Sequence, residues 1–291
     1  MAGSSPAKGG KVRFNVKDGV TSEAVPVRGA ELMVFRLDGD SVPVSARGSA
    51  PDSAAGPVEL IWAHGWGQTH EVLLPLAQAM RHAARSILID FPGFGASPMP
   101  PAPWSTADYA DAMAEWLAGL PPARRLWIAH SFGCRVGLQL AARHPERLAG
   151  LFLIAAAGLP PQRTPWARAR VMARRWAFRL ARHFTREGPA RDRLRSRFGS
   201  ADYRAAGPMR PILVKAVGED LTAVARAVRV PAVLVYGDED RETPPEMGMR
   251  LNNLMPQSRL YVLRGFDHWS LLSEGRHLIV HRLGELLEEL A

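Results

Sequence analysis

Short apolar runs and segments of helical spacing take turns along most of the chain. The runs AELMVFRL (30–37), VELIWAH (58–64), SILID (86–90), RLWIAH (125–130), LAGLFLIAAA (148–157), PAVLVYG (231–237) and RLYVLRG (259–265) each read as a strand. Helical spacing recurs in EVLLPLAQAMRHA (71–83) and FGCRVGLQLAARH (132–144), near 245–254, and from about Ser270 to Leu290. Ser105 and Asp108 stand in capping-box spacing and predict a helix through STADYADAMAEWLAGL. A loop rich in Gly, Ser, Pro and Ala, ARGSAPDSAAGP, separates the first two strands.

Strands that alternate with helices imply a mostly parallel sheet covered on both faces. The alternation breaks between Gly158 and about Val228, where the pattern is helical, and then resumes. The expected division is an α/β core from 12–157 and 229–291, a helical insertion over 158–228, and a flexible tail over 1–11. The insertion would sit above the carboxyl ends of the strands, where open α/β sheets bind their ligands.

Composition adds bounds. With 291 residues, 47% hydrophobic and 22% charged, the chain can bury a substantial core. Its one cysteine, Cys134, excludes an intramolecular disulfide and a cysteine-based metal cluster. The opening MAGSSPAKGGKVRFNV lacks the apolar core of a secretory signal, and no stretch approaches the ~20 apolar residues of a membrane span. A cytoplasmic location is therefore the expectation. The net charge of +9 is localised: residues 163–197 hold twelve arginines against Glu187 and Asp192, an excess of ten positive charges, so the rest of the chain is close to neutral.

The candidate chemistry begins at Ala129-His130-Ser131-Phe132-Gly133, where a strand turns directly into a helix. A small polar residue at such a corner can be a plain helix N-cap. A serine lifted out of the backbone there can instead be a nucleophile, and it then needs a base to take its proton.

At this point the chain resembles the α/β-hydrolase family, whose nucleophile elbow is G-x-S-x-G between a strand and a helix. Here Ala129 replaces the first glycine, which adds one methyl where strand and helix pack. The resemblance extends over nearly the whole chain and implies an eight-stranded, mostly parallel sheet with helices on both faces and an inserted α-helical cap. The family order is Ser, acid, His. GDEDRETPP after the strand at 231–237 resembles the acid turn and selects Asp240, with Asp238 as the lesser candidate. FDHWSLLSE after the strand at 259–265 resembles the histidine loop and selects His268, although Asp267 could be that histidine's orienting carboxylate. The loop His64-Gly65-Trp66-Gly67 implies a second oxyanion donor at the Trp66 N–H, beside that of Phe132. DFPGFGAS (90–97) resembles the loop that shapes the core below the site. His130 is expected to pack beneath the nucleophile without a catalytic role, and Cys134 to be buried packing. His64, Gly65, Trp66 and Trp269, with Trp166, Met172 and Trp176 from the insertion, are the candidate pocket residues.

The resemblance implies a serine hydrolase of carboxylic esters with an apolar acyl group and no metal or organic cofactor. The same triad also serves C–C bond hydrolysis, amide hydrolysis and acyl transfer. A reading of another class is an interaction protein that docks anionic partners through the arginine-rich insertion. That basic amphipathic segment is open to three uses: a cap with solvated arginines, recruitment of an acidic carrier protein or acid-bearing ester, and attachment to an anionic membrane surface with access to lipid esters. Nucleic acid is a weaker fourth, because arginines alone are not specific. The HGWG and DFPGFGAS pair also resembles carboxylesterases of biotin synthesis, which act on an acyl chain held by an acidic carrier protein. Those motifs are shared widely and do not fix the substrate.

Overall fold

The computed structural model of the chain describes residues 19–39, 58–162 and 205–290, the backbone of residues 13–16, and the single positions 166, 170, 172, 173, 176 and 203. The tail expected over 1–11, and nearly all of the arginine run, lie outside the described residues.

One sheet organises the rest. In chain order its strands are β1 (Arg13–Val16), β2 (Val20–Val27), β3 (Ala30–Leu37), β4 (Val58–Ala63), β5 (Arg85–Asp90), β6 (Arg124–His130), β7 (Gly150–Ile154), β8 (Ala232–Gly237) and β9 (Ser258–Leu263). Their spatial order is β1-β2-β3-β5-β4-β6-β7-β8-β9. From β5 through β9 every neighbouring pair is parallel, whereas β1, β2 and β3 are antiparallel to their neighbours. The mostly parallel α/β sheet expected from the alternation is present. The seven strands read from the apolar runs are β3 to β9; β2 brings the number to the eight that the resemblance implied, and β1 adds a short ninth at the edge. Strand β2 carries no apolar run: its sequence VTSEAVPV alternates irregularly and contains Pro26. It forms because Arg28 and Gly29, at φ 45° and 75°, make a two-residue turn that folds it onto β3.

Helices cover both faces. On one lie α2 (Thr106–Ala118), α3 (Phe132–Arg143), α4 (Arg210–Gly218), α5 (Thr222–Ala227) and α6 (Pro245–Leu254). The other carries α1 (Leu74–Ala79), α7 (Ser270–Ser273) and α8 (Arg276–Leu290). The central strands are buried on both faces. In β4, Ile61 and Ala63 enter one core while Leu60 and Trp62 enter the other. Each such fully buried large side chain stabilises the fold by about 1.5–3 kcal/mol. The capping box at α2 is formed: the Ser105 hydroxyl accepts the Asp108 N–H at 3.2 Å, and the Asp108 carboxylate accepts the Ser105 N–H at 2.8 Å.

The helix expected over 71–83 is shorter, a 3₁₀ turn at His70–Val72 followed by α1. The final helix is broken near Gly275 into α7 and α8. The strand expected over 148–157 stops at Ile154, because Ala155 takes φ 50°. Among the described residues, no helix is long and apolar enough to cross a membrane.

Candidate active site

Ser131 follows the last residue of β6, a central strand, and precedes the first residue of α3. Its backbone sits at φ 48°, ψ −102°, a conformation that a residue with a Cβ rarely adopts. The surroundings impose it. The Ser131 N–H donates to Ile154 O at 3.0 Å, and the Ser131 carbonyl accepts the Cys134 N–H at 3.1 Å. Gly133 explains why the corner can be so tight: a Cβ there would lie 2.4 Å from Ala63 O and 2.8 Å from His64 O. Only glycine lets α3 start this close to the end of β4. Ala129, at the position of the missing glycine, is fully buried within the core without disturbing the corner.

Cys134 lies on the inner side of the same corner. It is fully buried, with its Sγ 3.2 Å from Ala129 O and 3.3 Å from Ile154 O, and burial pushes its thiol pKa far up. It packs, as expected from its place in the helix.

Asp240 and His268 leave the ends of β8 and β9 and meet. His268 Nδ1 donates to Asp240 Oδ2 at 2.8 Å, and both residues are buried. The turn after β8 fixes the carboxylate: Asp240 Oδ1 accepts the N–H groups of Glu242 and Thr243, each at 2.8 Å. The Thr243 hydroxyl lies 2.8 Å from Asp240 Oδ2 and 3.2 Å from His268 Nδ1. Burial pushes the Asp240 carboxyl pKa up, but the hydrogen bonds from His268 and Thr243 outweigh it and hold the group below its ordinary value. Asp240 is therefore an anion aimed at Nδ1, and it fixes the tautomer that leaves Nε2 free to accept a proton.

The two alternative carboxylates are occupied elsewhere. Asp238 accepts the Gly265 N–H at 2.7 Å, and Asp267 accepts the N–H groups of Trp269 and Ser270 at 2.9 and 2.8 Å.

His130 ties the two halves of the site together. Its Nε2 lies 3.2 Å from the His268 carbonyl, which only accepts, so that nitrogen carries the proton. The two rings lie 4.7 Å apart. Burial and the neighbouring His268 lower the His130 pKa to about 3. Among the described residues the Ser131 hydroxyl has no hydrogen-bond partner, and His268 Nε2 faces Glu242 Oε2 at 3.7 Å.

The loop after β4 is braced from below. His64 is fully buried. Its Nδ1 donates to Gly65 O at 2.7 Å and its Nε2 accepts the Phe91 N–H at 3.1 Å, while burial lowers its pKa to about 4. Gln68 Oε1 accepts the Gly65 N–H at 2.6 Å. Gly67 takes φ 67°. Among the described residues no backbone acceptor takes the N–H of Trp66 or of Phe132, so both candidate oxyanion donors are available. The Trp66 and Phe132 rings meet edge to face at 5.6 Å, with Phe94 against both.

Of the other candidate pocket residues, Trp269 stands half-exposed beside His268, ring centroids 5.7 Å apart. Trp166, Met172 and Trp176 are helical and exposed, and the residues that link them lie outside the described set.

Sequence patterns assigned no individual role to several bracing residues, Asp90 at the head of DFPGFGAS included. Asp90 accepts the His70 N–H at 2.6 Å and the Ala96 N–H at 2.9 Å, and Gly95 leaves room for its carboxylate. Thr243 and Gln68 act at similar range. Their signal was their position one to three residues from a motif residue.

Comparison with known proteins places the chain in a family. A family model described as alpha/beta hydrolase fold matches residues 60–275. A pimeloyl-[acyl-carrier protein] methyl ester esterase of Chromobacterium violaceum is 29% identical over 249 residues, covering 80% of this chain and 95% of that protein. A membrane phospholipase A, described as a bacterial virulence factor, superposes with a TM-score of 0.68 at 20% identity, over 94% of this chain and 87% of its own. The enol-lactonase of Burkholderia xenovorans gives 0.64 at 22% identity, over 90% and 99%. These two likenesses are of fold. With the family model spanning residues 60–275, most of the chain, this protein belongs to the α/β-hydrolase-fold family.

Proposed function

We propose that the chain is a serine hydrolase of carboxylic esters, with Ser131 as nucleophile, His268 as general base and acid, and Asp240 as the anion that orients it. One observation carries the reading. A strained serine at the end of a central strand stands next to His130, whose ring is bonded to the backbone of a histidine already paired with a buried carboxylate.

Ser131 Oγ attacks the ester carbonyl while His268 Nε2 takes its proton, and the imidazolium so formed is stabilised by Asp240. The developing oxyanion is received by the N–H groups of Trp66 and Phe132. His268 then gives the proton to the departing alcohol. Water, activated by the same nitrogen, hydrolyses the acyl-enzyme and frees the acid.

Trp66, Phe94, Phe132 and Trp269 favour an apolar acyl group. The name of the Chromobacterium violaceum relative and the excess positive charge of residues 163–197 together support an ester whose acyl chain is held by an acidic carrier protein. The arginine-rich insertion over 158–228 would be the cap that meets it.

The test is labelling with a fluorophosphonate together with turnover of nitrophenyl esters of increasing chain length. Wild-type protein is expected to label and to cleave medium-chain esters better than acetate. Folded Ser131→Ala should neither label nor turn over, with a loss of several orders of magnitude. Retention of most activity in that variant overturns the mechanism.

A further inference from the structure

The turn that presents Asp240 also presents a second carboxylate. Glu242 donates its N–H to Asp240 Oδ1 at 2.8 Å, so its backbone is fixed by the same residue that orients His268. Its side chain is 55% exposed, and its Oε2 lies 3.7 Å from His268 Nε2. Among the described residues no Lys or Arg pairs with it, and the His268 ring is the group it faces. The other groups around that ring are committed elsewhere: Asp240 and Thr243 to Nδ1, His130 to the main-chain carbonyl, and Asp267 to the N–H groups of Trp269 and Ser270. Among the described residues Glu242 is the one charged group that faces the nitrogen proposed to exchange protons with the reacting ester.

We infer that Glu242 selects the alcohol half of the ester, favouring leaving groups that carry a positive charge and disfavouring anionic ones. The inference rests on the ester-hydrolase reading above. When the acyl C–O bond breaks, the alkoxide takes its proton from His268 Nε2, so the leaving oxygen sits within hydrogen-bond reach of that atom. It is then no more than about 7 Å from the Glu242 carboxylate, whose Oε2 lies 3.7 Å from that nitrogen. A cation two carbons further along the alcohol comes nearer still when the alcohol runs toward the turn that carries Glu242. Glu242 takes no proton in this step; it acts only by its field, and a half-exposed carboxylate at such range acts through partly screened charge. The expected preference is roughly fivefold in kcat/KM, about 1 kcal/mol.

The probe is a pair of esters of one medium-chain acid, the choline ester and the 3,3-dimethylbutyl ester, which match in shape and differ in charge. Each is assayed with the same enzyme preparation, so their ratio of kcat/KM is independent of the active fraction. The choline ester is intrinsically the more reactive, and the readout is therefore the change in that ratio on substitution. Glu242→Gln is expected to lower the ratio about fivefold, and Glu242→Lys further, while added salt narrows the gap between wild type and variants. An unchanged ratio in folded, active Glu242→Gln overturns the role of Glu242 and leaves the esterase reading standing. Absence of wild-type turnover on this pair alone overturns the inference, and absence of turnover on the nitrophenyl esters as well overturns the esterase reading with it.

Discussion

Acid is the perturbation to which this site is built to respond. His64 and His130 are fully buried, and burial lowers their pKa values from 6.5 to about 4 and about 3. An unfolded chain takes up a proton at each as pH falls through about 6.5, while the folded chain refuses both until far lower pH. Unfolded protein therefore binds more protons across that window, and stability declines as pH falls. Between pH 7 and pH 5 each histidine removes about 2 kcal/mol, and the pair about 4 kcal/mol. That is a large share of the 5–15 kcal/mol typical of a folded domain.

The carboxylates with depressed values, Asp90 and Asp240 of the site among them, contribute the same sign of slope, but chiefly below the ordinary carboxylate pKa of about 4. The interval from pH 7 to 5 thus isolates the two histidines from those carboxylates. Urea unfolding at several pH values, followed by tryptophan fluorescence, should give a free energy that falls by about 4 kcal/mol over this interval at nearly constant m-value. Ring-proton NMR of the folded protein should show two histidines that do not titrate above pH 5. A flat stability profile, or ring signals of His64 and His130 that titrate near 6.5, refutes the reasoning.

Three further outcomes follow from the same geometry. Asp240→Asn should lower kcat by about 10⁴-fold because the wrong tautomer of His268 results, while Asp238→Asn, which only weakens a bond to Gly265, should cost little; steady-state kinetics that reverse this order would assign the acid to Asp238. Gly133→Ala forces a Cβ into Ala63 O, and should cost about 1–3 kcal/mol in urea unfolding as well as activity; unchanged stability would mean that the elbow has more room than its backbone contacts allow. Replacing Arg175, Arg179 and Arg182 by Gln should weaken binding of an acidic carrier protein about tenfold at low salt, measured by calorimetry, and wild-type binding that is insensitive to salt would remove the charge from the recognition.

The order of chemistry along the chain was legible because each candidate residue follows a strand that announces itself. β6, β8 and β9 are apolar runs, and Ser131, Asp240 and His268 come within one to five residues of their ends. The choice of Asp240 over Asp238 rested on register alone, and the structure pairs Asp240, not Asp238, with His268. What the pattern missed has a physical reason in each case. β2 depends on a turn with two positive φ values, formed by Arg28 and Gly29, and not on its own apolar content. The split between α7 and α8 comes at Gly275, where a Cβ would lie 2.8 Å from Leu271 O, a contact that no periodicity encodes. Glu242 and Thr243 look like ordinary turn residues in sequence, and only the folding of their N–H groups around Asp240 brings them to His268.

The lone thiol behind Ser131 has a practical consequence. Cys134 is the chain's one cysteine, sealed one turn beyond Ser131, and its raised pKa keeps it in the unreactive thiol form while the corner is closed. A disulfide reagent added to native protein can therefore react only as fast as the corner opens, and the extent of modification with time becomes a clock for that opening. The clock needs no engineered label. Inhibition that leaves it running at the native rate has acted on the exposed chemistry of the site, whereas inhibition that speeds it has loosened the strand–helix junction itself.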